Sequence, residues 1–328
     1  MQEQLTKSAK DALTKQAYRI IGSHSAVKTC HWTKSMIRNR GGCYKLTFYG
    51  IMSNQCMQMS TSISCANRCS FCWRDYKSPV SKDWRWKVDE PNIIFNESKE
   101  HHHNLLVGFK GFEKRNKGAY IGSNTVKHVA LSLTGEPIAY PKMNELLTLF
   151  HKDDISTFIV TNAQFPDEIK NLNPITQLYI SLDAPNKSLL KTVDLPLFSD
   201  YWERLNKSLD HLAKKQERTT IRLTMVKGIN DKDMEDYAKL IKKGDPDFIE
   251  IKAYMHVGAS MKRLNKDNMP HHKEVVDKTK ELAKYLDDYE LVSEHIPSRV
   301  VMMAKKKYKI KNEWHTWIDF PKFQKLAL

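Results

Sequence analysis

Three cysteines stand within eight residues of one another, at Cys65, Cys69 and Cys72. Because a chain advances at most about 3.5 Å per residue, one loop can bend all three sulfurs toward a common centre. Structural zinc sites usually have four closed ligands, and this segment supplies only three. Three thiolates suit a [4Fe-4S] cube better, with one iron left open for a further ligand. A zinc site is the alternative at this point.

A second set of three cysteines precedes the first, at Cys30, Cys43 and Cys56, with a step of 13 residues each time. This spacing is not local, and the commonest state of a free cysteine is simple burial. The N-terminal segment is polar and predicts no secretory signal. Six cysteines in such a chain of 328 residues therefore predict metal or redox chemistry rather than a disulfide scaffold.

The elements that must position these thiols alternate along the chain. Apolar or alternating runs predict strands at 56–63, 126–133, 155–161, 178–182, 221–226 and 248–255. Amphipathic segments between them predict helices, among them 143–150, 201–215, 233–243 and 273–285. Residues 108–122 read as a loop. This α/β order predicts a partial (β/α)6-type barrel, with reactive groups at the C-terminal ends of the strands. A doubly wound open sheet is the alternative.

Further candidate residues follow these strands: Thr134, Gly135 and Glu136 after the second, Ser181 and Asp183 at the end of the fourth, and Arg222 on the fifth. Taken alone, each has a plain structural interpretation as a turn residue or a solvated arginine. Lys45 lies two residues after Cys43, and a lysine amine can form a Schiff base with a keto acid where its pKa is depressed. The alternative for Lys45 is a surface lysine at the start of a strand. The triplet His101-His102-His103 predicts an exposed helical run rather than a metal site.

The excess positive charge lies at the two ends of the chain. There are 53 Lys and Arg against 38 Asp and Glu, and no acidic residue stands between Asp11 and Asp75. Such ends favour contact with a polyanion, with interleaved aromatic residues available to stack on bases. A solvated surface is the alternative for the run Lys305-Lys306-Lys307. No apolar stretch of about 18 residues occurs, which excludes a transmembrane helix from the prediction.

The CxxxCxxC loop after the first predicted strand, followed one crossover later by Thr134-Gly135-Glu136-Pro137, resembles the radical S-adenosylmethionine (SAM) superfamily. The resemblance implies that Cys65, Cys69 and Cys72 bind a [4Fe-4S] cluster whose open iron chelates SAM. It also implies that Thr134, Gly135 and Glu136 hold the SAM amino group, and that Ser181, Asp183 and Arg222 contact its ribose and carboxylate. Homolytic cleavage of SAM would then give a 5′-deoxyadenosyl radical.

Longer segments narrow the resemblance to the tRNA 4-demethylwyosine synthase family. They are SLTGEP at 132–137, LYISLDAP at 178–185, RLTMVKGIN at 222–230 and IEIKAYMHVGAS at 249–260. In that family Cys30, Cys43 and Cys56 would bind a second [4Fe-4S] cluster, and Lys45 matches the proposed Schiff-base lysine. The chain resembles the short, archaeal-type form without a flavodoxin domain.

The resemblance implies a cytoplasmic, monomeric lyase with no membrane contact. It would condense N1-methylguanosine, next to the anticodon of tRNA(Phe), with pyruvate to give 4-demethylwyosine. A separate electron donor of flavodoxin or ferredoxin type is expected, and the basic ends are the candidates for tRNA contact. Whether the second cluster, Lys45 or both hold pyruvate stays open. The alternatives are a radical-SAM RNA methyltransferase or methylthiotransferase, and a noncatalytic zinc-containing RNA-binding protein.

Three domains are expected along the chain. Residues 1–55 form an N-terminal extension that carries part of the second cluster site, residues 56–295 form the radical-SAM barrel, and residues 296–328 form a basic C-terminal extension.

Overall fold

The computed structural model describes residues 2–327. Its strands are β1 Arg19–Ile21, β2 Ser25–Val27, β3 Cys56–Ser60, β4 His128–Leu131, β5 Ser156–Thr161, β6 Gln177–Ser181, β7 Arg218–Met225, β8 Phe248–Ala253, β9 Tyr289–His295, β10 Val300–Lys305, β11 Lys309–Ile310 and β12 Glu313–Trp314. Its α-helices are α1 Lys7–Lys15, α2 His31–Ile37, α3 Tyr44–Tyr49, α4 Pro91–Leu106, α5 Lys117–Gly122, α6 Met143–Lys152, α7 Pro166–Asn171, α8 Lys187–Asp194, α9 Tyr201–Leu212, α10 Met234–Gly244, α11 His272–Ala283 and α12 Phe320–Ala327.

Ten of these strands form one sheet in the order β1-β2-β3-β4-β5-β6-β7-β8-β10-β9. Strands β3 to β8 are parallel and stand in chain order. A doubly wound sheet reverses its order at a switch point, and this one does not. The predicted partial (β/α)6 barrel is therefore confirmed and the doubly wound alternative is wrong. Within residues 2–327 the barrel stays open, because β1 and β9 are the outer strands of the sheet.

Alternating side chains give the sheet two packed faces. Along β6, Leu178 and Ile180 pack with the outer helices, whereas Tyr179 between them belongs to the cluster on the concave side. This period of two is the ordinary pleat of a strand. Burial on both faces is typical of parallel strands, which is why they read as almost continuous apolar runs.

Helix α3 fills part of the concave side. Its residues Tyr44, Phe48 and Tyr49 pack with Phe158 of β5 and Phe248 of β8, among others. Gly50 ends the helix with φ +74, the left-handed conformation that favours glycine at this position. The predicted alternative of a strand at this point is wrong, and the helix brings Lys45 into the interior.

Two expectations about α4 and the segment after it are wrong. Residues 108–122 are largely helical rather than a loop, because Asn116 caps α5 by accepting a hydrogen bond from the Ala119 amide at 2.9 Å. The histidine run lies on α4 as expected, but it is not uniformly exposed, since His102 is buried with 1% of its surface accessible.

The basic C-terminal segment is joined to the barrel. Strand β10 lies between β8 and β9 and pairs antiparallel with both. Lys305 pairs with Asp245 and Lys307 with Asp247, each at 2.5 Å. These carboxylates offset part of the charge on which the tRNA-contact prediction rests. That contact and the three-domain division stay predictions; the sheet runs through both predicted boundaries.

Candidate active site

The cysteine loop after β3 is held by two arginines. Arg74 donates from Nη1 to the Ile63 carbonyl at 2.9 Å and the Pro79 carbonyl at 3.1 Å. Arg263 donates from Nε to the Ser70 carbonyl at 2.9 Å, and its Nη2 contacts the Cys72 carbonyl. Charged donors make the stronger class of hydrogen bond. The loop backbone is therefore fixed by Arg74, which follows it directly in sequence, and by Arg263, which stands 193 residues after Ser70.

The end of α8 supports the same loop. The Ser70 amide donates to the Val193 carbonyl at 2.7 Å, and the Arg68 amide donates to the Asp194 carbonyl at 2.9 Å. The Asn67 side-chain amide donates to Asp194 Oδ2 at 3.1 Å. These contacts satisfy carbonyls that a helix C-terminus otherwise leaves unpaired, and they connect the thiol loop to the C-terminal end of the helix that follows β6.

The three loop thiols are close enough to influence one another. Burial raises the pKa of Cys65 to about 12, with a further contribution from Cys72. Burial also raises the pKa of Cys69 well above its usual value, followed by the charges of Asp194, Cys72 and Asp183. Within residues 2–327 no three His, Cys, Asp or Glu side chains converge on a single metal ion. A cube binds each thiolate through a different iron, so it requires sulfurs that are farther apart than ligands of one ion.

The turn after β4 lies against this loop. Gly135 has φ +70, and a Cβ there would stand 2.0 Å from the Ser62 carbonyl oxygen, so only glycine fits. The next residue, Glu136, is 2% exposed. Its Oε2 accepts from the Asn162 amide at 2.9 Å, and the Asn162 side chain in turn contacts Cys65 Sγ at 3.4 Å. Thr134 contributes its carbonyl, which accepts from the Ser60 hydroxyl at 2.5 Å.

Glu136 also has an unused acceptor. Its Oε1 is buried and has no hydrogen-bond partner within residues 2–327. Burial raises the pKa of Glu136 to about 7. A buried carboxylate oxygen without a partner is costly, and an ammonium group next to it removes that cost. The site thus fits a ligand that brings an amino group to the cysteine loop.

Ser181 and Asp183 lie at the same C-terminal edge of the sheet. Ser181 is the last residue of β6, and Asp183 is buried in the turn that follows, with its Oδ1 unpartnered among the described residues. Burial, and then the charge of Asp194, raises the pKa of Asp183. The Asp183 carbonyl accepts from the Asn230 amide at 2.8 Å, which fixes the turn. A hydroxyl-bearing ligand would satisfy the free oxygen.

The other three cysteines meet in a separate cavity of about 260 Å³ on the concave side. Cys30 and Cys43 immediately precede α2 and α3, and Cys56 is the first residue of β3. Burial raises the pKa of Cys43 to about 11 and that of Cys56 to about 12, with Cys30 contributing to both. Three segments that are distant in sequence thus converge on one thiol-lined space.

Lys45 lines the same cavity and is 8% exposed. Its Nζ lies 4.9 Å from the ring centroid of Phe158 and 5.1 Å from that of Tyr179. Burial, and then the nearby charge of Arg222, lowers the pKa of the Lys45 amine. The surface-lysine alternative is therefore wrong: Lys45 is an interior amine beside three thiols.

Arg222 belongs to this cavity as well, and not to the pocket that contains Cys65 and Glu136. It donates from Nε to Glu250 Oε2 at 2.9 Å and from Nη2 to the Tyr44 hydroxyl at 2.8 Å. Its side chain is 15% exposed and does not line the pocket beside Glu136. The solvated alternative is therefore wrong, and the contact with the SAM carboxylate stays a prediction.

Sequence reasoning missed the side chains that hold the two sites. Arg74, Arg263 and Asn162 support the cysteine loop, and Tyr44 and Glu250 support Arg222. None stands in a spacing that identifies such a role. The only available signal was the general one that charged side chains within apolar strands, such as Glu250 in β8, need a buried partner.

The fold and the loop together define a radical SAM protein. The model of that superfamily matches residues 59–241, and the model "Wyosine base formation" matches residues 243–305. Membership of the superfamily implies SAM and one [4Fe-4S] cluster. Among residues 2–327 no helix is both long enough and apolar enough to cross a membrane.

The relatives narrow the class further. S-adenosyl-L-methionine-dependent tRNA 4-demethylwyosine synthase of Homo sapiens is 50% identical over 323 residues, which is 98% of this chain and 44% of that protein. The protein of that name from Oryza sativa subsp. japonica is 49% identical over 330 residues, 100% of this chain and 50% of that one. The chain spans about half the length of the curated relatives it matches.

Two solved structures match almost end to end. A structure of TYW1 with a lysine–pyruvate adduct bound is 34% identical, with a TM-score of 0.85, covering 95% of this chain and 100% of that one. The crystal structure of an archaeal TYW1 is 30% identical, with a TM-score of 0.77, covering 96% and 100%. This chain belongs to the tRNA 4-demethylwyosine synthase family.

Proposed function

We propose that this chain is a radical-SAM lyase that condenses N1-methylguanosine, next to the anticodon of tRNA(Phe), with pyruvate to form 4-demethylwyosine. The single observation that carries the proposal is the interior amine of Lys45 in a cavity shared with Cys30, Cys43 and Cys56. A SAM-cleaving enzyme needs no such amine, whereas a keto acid needs one to become covalently held.

Cys65, Cys69 and Cys72 would hold the first [4Fe-4S] cluster, and Glu136 and Asp183 would bind SAM through their unpartnered oxygens. When reduced, a cluster with an open iron supplies the electron that cleaves SAM and produces a hydrogen-abstracting radical. The chain's own contribution is positional: Arg74 and Arg263 fix the loop, and the Gly135 turn brings Glu136 against it.

Lys45 would act as the nucleophile toward pyruvate. The unprotonated amine attacks the keto carbon, a C=N bond forms, and the keto oxygen leaves as water. Phe158 and Tyr179 beside Nζ limit its hydration, and the same burial disfavours the ammonium form. The related structure of TYW1 with a lysine–pyruvate adduct bound supports this assignment.

Cys30, Cys43 and Cys56 would hold a second [4Fe-4S] cluster next to this adduct. Their donor set is the same as that of the first loop, and no fourth cysteine is available in the chain, because the remaining three form the loop. An iron without a protein thiolate could bind the carboxylate of the keto acid, so Lys45 and the cluster would act on one molecule. We further propose the basic N-terminal segment as the tRNA contact and a separate flavodoxin- or ferredoxin-type donor as the source of electrons.

Anaerobic turnover tests the proposal. Purified protein is supplied with SAM, a chemical reductant, tRNA containing N1-methylguanosine, and pyruvate labelled at its methyl carbon. We expect label in the tRNA and 5′-deoxyadenosine in solution. The Lys45→Ala variant should still produce 5′-deoxyadenosine, with tRNA labelling lost. Wild-type SAM cleavage without labelled tRNA contradicts the proposal and favours a radical-SAM transferase, which requires no keto acid.

A further inference from the structure

The cavity that contains Lys45 has an unusual charge distribution. Its charged lining residues are Lys45 and Arg222, and no aspartate or glutamate of residues 2–327 lines it. A cavity lined by two cationic side chains and no carboxylate has a positive potential, which favours an anionic occupant. Lys45 accounts for the electrophilic carbon of a keto acid. The carboxylate next to that carbon has two oxygens, so one can bind an iron of the proposed second cluster while the other accepts from a side chain.

Arg222 is held in a fixed orientation at the wall of this cavity. Its Nε and Nη2 both contact Glu250 Oε2, at 2.9 and 2.8 Å, and Nη2 also donates to the Tyr44 hydroxyl at 2.8 Å. Glu250 is fully buried, and its other oxygen accepts from the Tyr49 hydroxyl at 2.8 Å. The Nη1 group has no hydrogen-bond partner in the described part of the chain. The guanidinium thus keeps one donor edge for a ligand.

Lys45 and Arg222 both lie beside the aromatic ring of Tyr179. The Lys45 Nζ lies 5.1 Å from the centroid of the Tyr179 ring, and the Arg222 Cζ lies 4.7 Å from the same centroid. The planar guanidinium matches the planar carboxylate, and the pair forms short, charge-assisted hydrogen bonds. In an α-keto acid the carboxylate is bonded directly to the carbon that the amine attacks. Because both side chains line the same cavity, a keto acid bound there lies near both groups.

We infer that Arg222 is the carboxylate-binding residue of a keto-acid site, in which it selects α-keto acids and aligns the keto carbon with Lys45. The inference rests on the proposed function and adds to it a specificity-determining residue. It also reassigns Arg222 from the SAM carboxylate, its expected partner from sequence, to a different substrate. The Glu250–Tyr49 pair then serves to hold the guanidinium, with no direct ligand contact.

Reductive trapping tests the assignment without turnover. The anaerobically purified holoenzyme is mixed with pyruvate or with pyruvamide, which keeps the keto group but replaces the carboxylate by a neutral amide. Cyanoborohydride then reduces any imine, and mass spectrometry of peptides measures the fraction of Lys45 modified. Each compound is titrated to obtain its half-saturating concentration. SAM binding is measured separately by equilibrium dialysis.

Two variants carry the test. Arg222→Lys keeps the charge but loses the planar fork, and the pair Arg222→Gln with Glu250→Gln removes both charges of the buried ion pair together. Arg218→Lys is the matched control. Arg218 lies on the same strand, four residues before Arg222, and its Cζ stacks on Phe248 at 4.5 Å from the ring centroid, but it does not line the cavity. Circular dichroism and iron content check that each variant folds and loads.

We expect wild type to be half-saturated at a pyruvate concentration at least tenfold below that for pyruvamide. A hydrogen bond to a charged group contributes about 1.5–3 kcal/mol, so the double variant should need roughly tenfold or more additional pyruvate. Its pyruvamide dependence and its SAM affinity should not change. The half-saturating pyruvate concentration of Arg222→Lys should lie between those of wild type and the double variant. This single variant provides the test if the double variant does not fold.

Other outcomes overturn the assignment. If the Arg222 variants raise the half-saturating concentrations of pyruvate and pyruvamide equally, Arg222 has only a structural role. Weaker SAM binding with an unchanged pyruvate titration returns Arg222 to the SAM site. If the wild type itself forms no adduct on Lys45 with either compound, the proposed function fails, whereas a wild-type adduct that Arg222 variants leave unchanged sinks this inference alone.

Discussion

The two sets of cysteines are built in opposite ways. Cys65, Cys69 and Cys72 occupy a single loop. Its carbonyls accept hydrogen bonds from Arg74 and Arg263, and its backbone amides donate to carbonyls at the end of α8. Cys30 and Cys43 directly precede two separate helices and Cys56 begins β3, so tertiary packing, including that of α3 against the concave face of the sheet, brings them to one cavity.

The difference predicts how each site should respond to mutations that loosen the surrounding core. A loop with its own network of hydrogen bonds keeps its shape when the surrounding core loosens, because its supports are local polar contacts. A site assembled from three elements depends on the apolar core that joins them. The first is suited to an unvarying reaction of the cofactor, and the second to a substrate that must enter beside Lys45.

The largest expected effect separates the two sets directly. Cys69→Ala should abolish SAM cleavage, since the loop loses one of its three thiolates, and iron should fall by about four atoms per chain from about eight. Cys43→Ala should lose a similar amount of iron, yet it should still cleave SAM while failing to label tRNA from pyruvate. Iron analysis and 5′-deoxyadenosine assay of both variants measure this.

The comparison breaks down if the variants behave alike. SAM cleavage lost in both would mean that the cavity cysteines support the same cofactor as the loop, and retained labelling in Cys43→Ala would remove the second cluster from the reaction. Thr33→Ala provides a control at the same cavity, because Thr33 is not a thiol and its hydroxyl binds the Ser53 carbonyl at 2.9 Å.

A second test addresses the rigidity of the loop region. Gly135→Ala places a Cβ 2.0 Å from the Ser62 carbonyl oxygen, and Gly228→Ala, also at positive φ, meets no atom within 4 Å. Left-handed backbone alone costs about 1–2 kcal/mol for alanine. Gly228→Ala should therefore lose about 1 kcal/mol of stability, and Gly135→Ala about 3 kcal/mol or more together with SAM binding. Chemical denaturation and SAM titration measure both, and equal losses would refute the packed turn.

The smallest expected effect concerns α4, which packs against β1, β2 and β3 behind both cysteine sets. Burial lowers the pKa of His102 to about 4, and neither ring nitrogen has a partner in the described chain. Because the unfolded state binds a proton near pH 6.5 and the folded state does not, stability should fall as pH drops from 6.5 toward 4, by at most about 3 kcal/mol.

His102→Leu should reduce this acid dependence, since leucine does not titrate and no hydrogen bond is lost. The exposed neighbour His103 provides the control: His103→Gln should retain the wild-type dependence. Urea denaturation of the three proteins between pH 4 and pH 7 measures the slopes. Identical slopes for wild type and His102→Leu would show that His102 is accessible to protons in the folded protein.

Much of this architecture follows from local sequence. All six parallel strands lie within a few residues of their predicted positions, because buried parallel strands read as apolar runs bounded by turn residues. The loop of Cys65 and the Gly135 turn can also be predicted from sequence, because the residues that form each of them stand within a few positions of one another. Lys45 was identified through a resemblance, not through its own surroundings.

What escaped prediction depends on contacts between distant residues. The insertion of β10 between β8 and β9 is a choice of strand partner, which alternation alone does not specify. The surroundings of Arg222 escape prediction for the same reason, because its partners Tyr44 and Glu250 stand 178 and 28 residues away. The helix at Lys117–Gly122 was missed because its glycines outweighed the cap at Asn116.

The central claim is that the two cysteine sets form separate sites and that Lys45 belongs to the second. Trapping in a variant with Cys65, Cys69 and Cys72 all changed to alanine tests it most directly. With pyruvate and cyanoborohydride, we predict modification of Lys45 at the wild-type pyruvate concentration, although SAM cleavage is lost. Modification of a different lysine, or an adduct that disappears with the loop cysteines, would contradict the account.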